Sequence, residues 1–199
     1  MPKSPTKTRP KTVTALMRSA LALFVEHGFH ATSISDICGH AGLTRGAFYS
    51  NYRTKEQLFL ALYDVEADRV LADIEQAVDT VTPGDDPVRH IIDRVGAHRR
   101  ENHRWFLVSM EFTLHAARTP DLAAELAPHE DRLTTGLAAL LERSLPGLSR
   151  DRAEDVARLL TALHEGTTAQ ELIHGTAATA FRDRLLSDIV DALVADNPR

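Results

Sequence analysis

The fold is decided by residues 32–52, which read TSISDICGHAGLTRGAFYSNY. Ser33, followed three positions later by Asp36, is the pairing that caps a helix N-terminus, and Thr44 is a second residue of the capping type. Between these two predicted starts stands Gly42, whose missing side chain permits a tight turn. The stretch therefore predicts two short helices joined by a turn, which is the arrangement of a helix-turn-helix.

Two further positions fit the packing that a helix-turn-helix needs. Cys38 supplies a small residue where the two helices would cross, and Phe48 supplies an apolar anchor for the second helix. We therefore interpret Cys38 as a buried packing residue rather than as a reactive thiol. Upstream, apolar residues recur every three or four positions from Lys11 onward, which predicts a first helix that ends at Gly28.

The second helix of the motif, residues 44–51, presents side chains that we expect to touch DNA. Arg45 can donate two hydrogen bonds to a guanine edge, while the small Gly46 and Ala47 let the helix approach the groove closely. The other candidates are contacts to phosphate, namely Thr32, Ser33, Thr44, Tyr49 and Lys55. Lys55 has an alternative interpretation as a solvated lysine in the first turn of the next helix.

The charge of the chain is divided between two regions of opposite sign. The 199 residues carry a net charge of −5, yet residues 1–55 hold eight basic and two acidic residues. Residues 56–199 hold 26 acidic residues and 15 basic ones, all of them arginine. This asymmetry favours a polyanion-binding end joined to an acidic body, although a basic disordered tail on an acidic globule would give the same charges.

Composition also excludes several classes of protein. The single cysteine excludes a disulfide scaffold and an all-cysteine metal site. No uncharged apolar run approaches the roughly 20 residues that span a bilayer. The basic start of the chain is not followed by an apolar run of the secretory type. We therefore expect a soluble, cytoplasmic protein that does not bind a membrane.

Motifs of catalysis, cofactor binding and metal binding are missing from the sequence. There is no Gly-x-Ser-x-Gly elbow, no phosphate-binding Gly-Lys loop and no dinucleotide glycine fingerprint. The run from His164 to Thr168 begins like a zinc-protease motif but lacks the second histidine. We therefore expect no enzyme activity, no cofactor and no metal site.

Helical spacing continues through the rest of the chain, and the predicted class is all-α with nine helices. Thr54, with Gln57 at the capping-box position, starts a long helix towards Thr80. Breaks rich in proline and glycine separate five later helices, predicted at 86–100, 103–118, 121–144, 150–174 and 179–195. The predicted domains are a disordered basic arm (1–10), the helix-turn-helix (11–53) and a larger helical domain (54–199).

The N-terminal stretch resembles a known family. The residues that carry the resemblance are Ala20, Phe24, Gly28-Phe29, Thr32-Ser33-Ile34, Ile37, the run from Ala41 to Tyr49, Tyr52, Lys55-Glu56 and Leu58. At this spacing they are similar to the DNA-binding domain of TetR-type transcriptional regulators. Tyr52 stands where the family more often has Phe, so it keeps the aromatic packing and adds a hydroxyl near the DNA backbone. The resemblance implies a nine-helix homodimer whose residues 54–199 bind a ligand and dimerise.

The predicted helix 103–118 is apolar nearly all round, which is typical of a helix buried on most sides. One interpretation is a ligand pocket lined by Trp105, Met110, Glu111, Phe112 and His115. The alternative is that the aromatic residues are core and that Glu111 pairs with an arginine. We favour this structural role for Glu111, since a Glu-Phe pair recurs in this helix among similar regulators with differing ligands.

The last two predicted helices carry apolar stripes that favour a dimer interface. The first stripe is interrupted by small residues that would let two backbones come close, and the second has an apolar residue every fourth position. The candidate interface residues are Leu159, Leu163, Gly166, Thr167, Phe181, Leu185 and Ile189. An intramolecular core would give the same stripes, so that alternative stays open.

Our leading functional hypothesis is a dimeric repressor that a small molecule releases from a pseudo-palindromic operator in double-stranded DNA. Activation instead of repression is also compatible with these residues. A second hypothesis is an enzyme in an all-helical body, which the missing motifs disfavour. A third is an architectural DNA-binding protein without a sensor, which would bind DNA with little sequence preference.

Overall fold

The structure is a computed structural model that describes residues 8–80, 103–145, 147–175 and 185. Within these ranges the chain forms seven α-helices and no strand, which confirms the all-α class. They are α1 (Thr8–His27), α2 (Ile34–Ala41), α3 (Arg45–Tyr49), α4 (Lys55–Asp79), α5 (His103–Ala116), α6 (Pro120–Ser144) and α7 (Arg150–His174). The helices predicted at 86–100 and 179–195 lie outside the described residues. None of the described helices has the length and apolarity needed to cross a membrane.

The predicted start of α2 is confirmed by both halves of its capping box. Ser33 Oγ accepts a hydrogen bond from Asp36 N at 3.1 Å, and Asp36 Oδ2 accepts one from Ser33 N at 2.9 Å. The helix ends at Gly42, whose φ of 65° lies in the left-handed region that favours glycine. Thr44 Oγ1 then accepts from Ala47 N at 3.2 Å and starts α3. These local bonds build the helix-turn-helix that the sequence predicts.

The long helix α4 begins directly after Thr54, as predicted, but its cap is paired differently. Thr54 Oγ1 accepts a hydrogen bond from Gln57 N at 3.2 Å. The side-chain oxygen of Gln57 accepts from Arg53 N at 2.9 Å, whereas a capping box would use Thr54 N. The expected reciprocal bond is therefore displaced by one residue, and the first helical residue is Lys55.

The chain divides into two compact units. Unit 1 contains the described residues within Met1–Glu66 and Arg104–His129, and unit 2 contains those within Ala67–His103 and Glu130–Arg199. Helices α4 and α6 each contribute residues to both units. Almost all of α5 belongs to unit 1, together with the helix-turn-helix, although the sequence analysis assigned it to the domain 54–199.

The core of unit 1 is aromatic and joins α5 to the N-terminal helices. Phe24, Phe29, Phe59 and Phe112 are all fully buried. The Phe112 ring centroid lies 4.2 Å from that of Phe59 and 5.0 Å from that of Phe29. Truncating one such phenylalanine to alanine costs about 3–5 kcal/mol in protein cores. This packing places the residues that follow α1 directly against α5.

Unit 2 has its own core, built by the later parts of α4 and α6 and by α7. Ile74 and Leu141 are fully buried there and pack with small residues of α7. Gly136 lets α6 approach α4 closely, since a Cβ at this position would clash with the Leu71 side chain. On the exposed side, Arg132 donates two hydrogen bonds, of 2.8 and 2.9 Å, to the Asp68 carboxylate. Unit 2 is thus a separately packed helical body.

Candidate nucleic-acid interface

Helix α3 turns one apolar side chain into unit 1 and leaves polar and small residues outside. Phe48 is fully buried, as predicted, and Cys38 beside it in the same core is buried too. Burial raises the pKa of the Cys38 thiol, which agrees with its interpretation as a packing residue. Thr44, Arg45 and Gly46 are exposed. The buried anchor therefore fixes which face of α3 a partner molecule can reach.

Arg45 and Tyr49 form a pair on the exposed face of α3. The Arg45 Nη2 donates to the Tyr49 hydroxyl at 3.3 Å, and the guanidinium carbon lies 5.9 Å from the centroid of the tyrosine ring. This bond raises the pKa of Arg45, whose guanidinium is charged in any case. Sequence reasoning treated the two residues separately, although their spacing of four positions on a helix is the signal for a contact.

The small size of Gly46 is not required by packing among the described residues. A Cβ built on Gly46 would meet only Thr44 Oγ1 among them, at an ordinary contact distance of 3.7 Å. Ala47 is partly exposed. Because Gly46 and Ala47 have small side chains, the main chain of α3 could approach a groove closely there.

The hydroxyls of Thr32 and Ser33, which were expected to contact phosphate, donate to groups inside the domain. Thr32 is only 2% exposed, and its hydroxyl donates to the Gly28 carbonyl oxygen at 2.8 Å. Ser33 is exposed, but its hydroxyl donates to Asp36 Oδ2 at 2.6 Å. These bonds hold the pKa of Asp36 below its ordinary value, so a negative charge stands next to Ser33. In this structure both hydroxyl protons are therefore used inside the domain.

Lys55 is half-buried, which contradicts its interpretation as a solvated lysine. Its Nζ donates to the carbonyl oxygens of Phe29 at 2.6 Å and Thr32 at 2.7 Å, and lies 4.2 Å from the centroid of the Phe29 ring. Burial lowers the pKa of Lys55, while Glu56 and Glu111 act in the opposite direction. An ammonium group has three donors, so one remains for a phosphate.

Tyr52 has the packing role that the resemblance implies. It is half-buried, and its ring centroid lies 5.9 Å from that of Phe48. Burial raises the pKa of the Tyr52 phenol, so the hydroxyl is neutral and available as a donor at neutral pH. A contact between this hydroxyl and the DNA backbone stays a prediction.

Three of the five residues expected at a ligand pocket, Glu111, Phe112 and His115, contact the turn between α1 and α2, whereas Trp105 contacts α4. Trp105 stacks on Phe59 with 5.3 Å between ring centroids. His115 stands against His30, with ring centroids 4.9 Å apart, and Phe112 lies in the aromatic core. Met110 is partly buried. For the aromatic residues, these contacts are those of the core alternative, and the expected ligand contacts stay a prediction.

Glu111 contacts the main chain of this turn, where an arginine partner was expected. Its Oε2 accepts a hydrogen bond from Phe29 N and its Oε1 accepts one from His30 N, both at 2.9 Å. A Cβ on Gly28 would lie only 2.8 Å from Oε2. The glutamate thus has the structural role that we favoured, with main-chain partners instead of an arginine. Nothing local in the sequence indicates a contact across more than 80 residues.

The residues predicted at the dimer interface are only partly described. Leu159 and Gly166 are exposed on α7, Leu163 and Leu185 are partly buried, and Thr167 is buried with its hydroxyl donating to Leu163 O at 2.6 Å. Phe181 and Ile189 lie outside the described residues. Ile173, in the last turn of α7, is 75% exposed. Among the described residues, no three histidine, cysteine, aspartate or glutamate side chains are arranged to hold a metal ion.

Two family models match the chain. The model of bacterial regulatory proteins of the tetR family matches residues 16–62. The model of the C-terminal domain of BetI-type transcriptional repressors matches residues 85–195, which is more than half of the chain. The first match contains α2, α3 and the start of α4, and therefore the exposed face of α3 described above.

Individual relatives at about one quarter sequence identity are transcriptional regulators too. The transcriptional regulator CymR of Pseudomonas putida is 26% identical over 162 residues, which cover 79% of this chain and 77% of CymR. The transcriptional activator FasR of Mycolicibacterium smegmatis is 24% identical over 151 residues, which cover 74% of this chain but only 66% of FasR. The chain thus spans just under two thirds of FasR.

Solved structures share the fold along most of the chain. GusR of Salmonella enterica superposes with a TM-score of 0.68 at 24% identity, over 95% of this chain and 100% of GusR. FadR of Bacillus subtilis, solved in complex with stearoyl-CoA, gives a TM-score of 0.68 at 14% identity, over 89% of this chain and 97% of FadR. These structures show the fold, and the two family models show that the chain belongs to the TetR family of bacterial transcriptional regulators, with a C-terminal region of the BetI-type repressors.

Proposed function

We propose that the chain is a homodimeric repressor that binds a pseudo-palindromic operator through α3 and leaves it when a small molecule binds. The observation that carries this proposal is the exposed face of α3, where Arg45 is held by Tyr49 beside two small residues. Residues 11–53 would contact DNA, and residues 54–199 would bind the effector and dimerise. Family membership sets the enzyme alternative aside. Since its target is chromosomal DNA, the proposed protein acts in the cytoplasm.

In the proposed complex α3 lies in the major groove. Arg45 donates two hydrogen bonds to a guanine edge, which is worth about 1–3 kcal/mol of discrimination against the wrong base. Phosphate contacts come from Thr44, Tyr49, Tyr52 and the remaining donor of Lys55. Because the hydroxyls of Thr32 and Ser33 are used internally, any phosphate contact near the start of α2 falls to its main-chain N–H groups.

Two copies of α3 are needed to read a pseudo-palindrome, with half-sites about 34–36 Å apart or at a multiple of that spacing. The exposed apolar residues of α7 support dimerisation through this helix, since Leu159, Leu172 and Ile173 are all exposed in the single chain. Leu163, Gly166 and Thr167 complete the proposed surface on α7. Phe181, Leu185 and Ile189 would extend it along the last predicted helix.

The effector is proposed to bind within residues 54–199. The Bacillus subtilis FadR structure contains stearoyl-CoA, which makes acyl-CoA esters one class of compound to test. The effector can act only if it binds the DNA-bound and the DNA-free arrangement with different affinity. Trp105, Met110, Glu111, Phe112 and His115 stay the residues proposed to line the effector site, and the ring contacts of Trp105 and Phe112 support the core alternative.

The proposal is tested by selecting fragments of the source genome on the purified full chain and measuring binding to the enriched site. We expect one enriched pseudo-palindrome, bound about 1,000-fold or more tightly than random DNA of equal length. Arg45→Ala should lose most of this preference. Arg150→Ala is the matched control, because Arg150 is an exposed arginine that pairs with Glu154 four positions later, in unit 2.

The outcomes separate a sequence-specific regulator from an architectural protein, and repression from activation. Equal binding to all fragments would overturn the proposal in favour of an architectural protein. A reporter gene driven by the enriched promoter distinguishes repression from activation, since a repressor lowers its expression and an activator raises it. Release of the operator by an added acyl-CoA, or by another compound from the regulated pathway, tests the effector.

A further inference from the structure

The turn between α1 and α2, residues 28–33, is held by side chains from two other helices. Gly28 ends α1 with a φ of 85°, and the turn leads directly into the capping box of Ser33 and Asp36. The two oxygens of Glu111, on α5, accept hydrogen bonds from Phe29 N and His30 N. Successive main-chain N–H groups that converge in this way form an anion-binding concavity. Here the anion is a side chain of the protein itself.

Lys55 holds the same turn through its carbonyl groups. Its ammonium group donates to Phe29 O and Thr32 O. The N–H and the C=O of Phe29 are thus bound by opposite charges, from α5 on one side and from α4 on the other. We call this arrangement the turn clamp, meaning Glu111 and Lys55 together with residues 28–33.

The approach of Glu111 is built into the main chain at Gly28. Any residue with a side chain would have an unfavourable backbone φ at this position. Its Cβ would also lie 2.8 Å from Glu111 Oε2, closer than real Cβ atoms approach their neighbours. The neighbouring residue on α5, Phe112, packs edge-to-face on the Phe29 ring with 5.0 Å between centroids. The turn therefore contacts α5 through both its main chain and its buried ring, so a displacement of α5 cannot leave the turn in place.

We propose that Glu111 is a positioning residue for DNA binding. Through the turn clamp it links α5 to the turn before α2 and so fixes the position of the first residues of α2. This inference rests on the proposed function, because it assigns Glu111 to the operator-binding state. Without the carboxylate, the two N–H groups of the turn would lose their acceptor, and the segment that leads into α2 would sample other conformations. Ordering that segment again on DNA would then reduce operator affinity. Helix α5 belongs to the region proposed to bind the effector. The turn clamp therefore connects that region to the position of α2.

The test compares Glu111→Gln with the parent and with Glu125→Gln, an exposed glutamate of unit 1 on α6. The glutamine keeps one acceptor but places an amide donor against a second N–H group. Amide hydrogen exchange of Phe29 and His30, the melting temperature, and affinity for the selected operator and for random DNA are measured on the full-length protein. We expect Glu111→Gln to lose at least fivefold in amide protection at these two residues. Operator affinity should fall by about tenfold, a typical coupling, and random-DNA affinity by less than twofold.

Each outcome decides between positioning and a merely structural role. Glu125→Gln should match the parent in every measurement. If Glu111→Gln loses amide protection but binds the operator within twofold of the parent, or if protection is unchanged, the proposal is overturned. Should Glu111→Gln fail to fold, Glu111→Asp, whose shorter side chain withdraws the carboxylate, takes its place under the same criteria. Failure to select any operator with the parent chain contradicts the proposed function instead, so the two failures are distinguishable.

Discussion

The guanidinium of Arg45 donates to the hydroxyl of Tyr49, one turn further along α3, and its central carbon lies 5.9 Å from the centroid of the tyrosine ring. Both side chains are exposed, and Tyr49 keeps 49% of its surface accessible. A long arginine loses about 2 kcal/mol of side-chain entropy when it is fixed. Part of that loss is incurred before DNA arrives, because the pair already restricts the arginine.

This pairing predicts that changes at the two residues are not independent. Arg45→Lys should weaken operator binding by about 1–3 kcal/mol, because lysine cannot form two parallel bonds to guanine. Tyr49→Phe should cost about 0.5–1.5 kcal/mol, the net contribution of one hydrogen bond. Fluorescence anisotropy on the operator measures both. In the double variant the tyrosine change should add little, whereas full additivity would mean that Tyr49 acts only through its own phosphate contact.

The sequence could predict those parts of the site that depend on neighbours along the chain. The caps at Ser33 and Thr44 and the inward position of Phe48 follow from spacings of three or four residues, and the structure confirms them. Thr32 is predicted as a phosphate contact because it lies near the start of a helix. Its hydroxyl instead donates backwards along the chain, to Gly28 O at the end of α1.

The contacts of Glu111 and Lys55 could not be predicted in the same way. Each joins residues far apart in the chain, and both use main-chain groups, which every residue carries, as partners. No pattern of residue types therefore marks the acceptors or donors. The one local signal was Gly28, which periodicity identified as a helix stop without indicating what approaches it.

Gly28→Ala should destabilise the protein by about 1–3 kcal/mol, since the alanine would adopt a left-handed φ and crowd Glu111. Urea unfolding followed by circular dichroism measures the change. The matched control is Gly39→Ala, inside α2, where a Cβ would meet no described residue within 4 Å. That variant should be neutral or more stable by up to about 1 kcal/mol. If both variants lost the same stability, the close approach of Glu111 to Gly28 would not matter energetically.

Lys55→Gln separates two roles of one side chain. Loss of the bonds to Phe29 O and Thr32 O should reduce the free energy of unfolding by about 1–3 kcal/mol. If the remaining donor contacts a phosphate, the slope of log affinity against log salt should also fall by about 0.9. Lys11→Gln, at an exposed lysine of α1, controls for the loss of charge alone in the stability measurement. Lower stability with an unchanged salt slope would remove Lys55 from the DNA contacts.

Glu165, on α7, predicts a pH dependence of the stability of unit 2. Burial raises its pKa above the ordinary 4.5, and the nearby Glu130 adds to the effect. The folded chain thus holds this proton more tightly than the unfolded chain does. The resulting stabilisation is complete below about pH 4.5 and is lost as pH rises through the higher folded pKa.

Glu165→Gln should therefore make the protein more stable at pH 7 and leave its stability at pH 4 nearly unchanged. Solvent screening of this partly exposed group keeps the gain below about 1 kcal/mol. Thermal unfolding between pH 4 and pH 8 measures it, with the exposed Glu125→Gln as control. A gain of equal size at both pH values would contradict the raised pKa.

Gly166 offers a test of the proposed dimer that leaves the single chain intact. It is exposed on α7, and a Cβ built there would meet none of the described residues within 4 Å. Gly166→Leu should therefore fold normally and gain slightly in helix stability, because glycine costs about 1 kcal/mol relative to good helix formers. If two α7 helices approach closely at this point, the leucine will separate them. Sedimentation velocity should then show monomer, and operator affinity should fall because two half-sites are no longer bound together. A Gly166→Leu protein that remains dimeric, with unchanged operator affinity, would remove Gly166 from the interface.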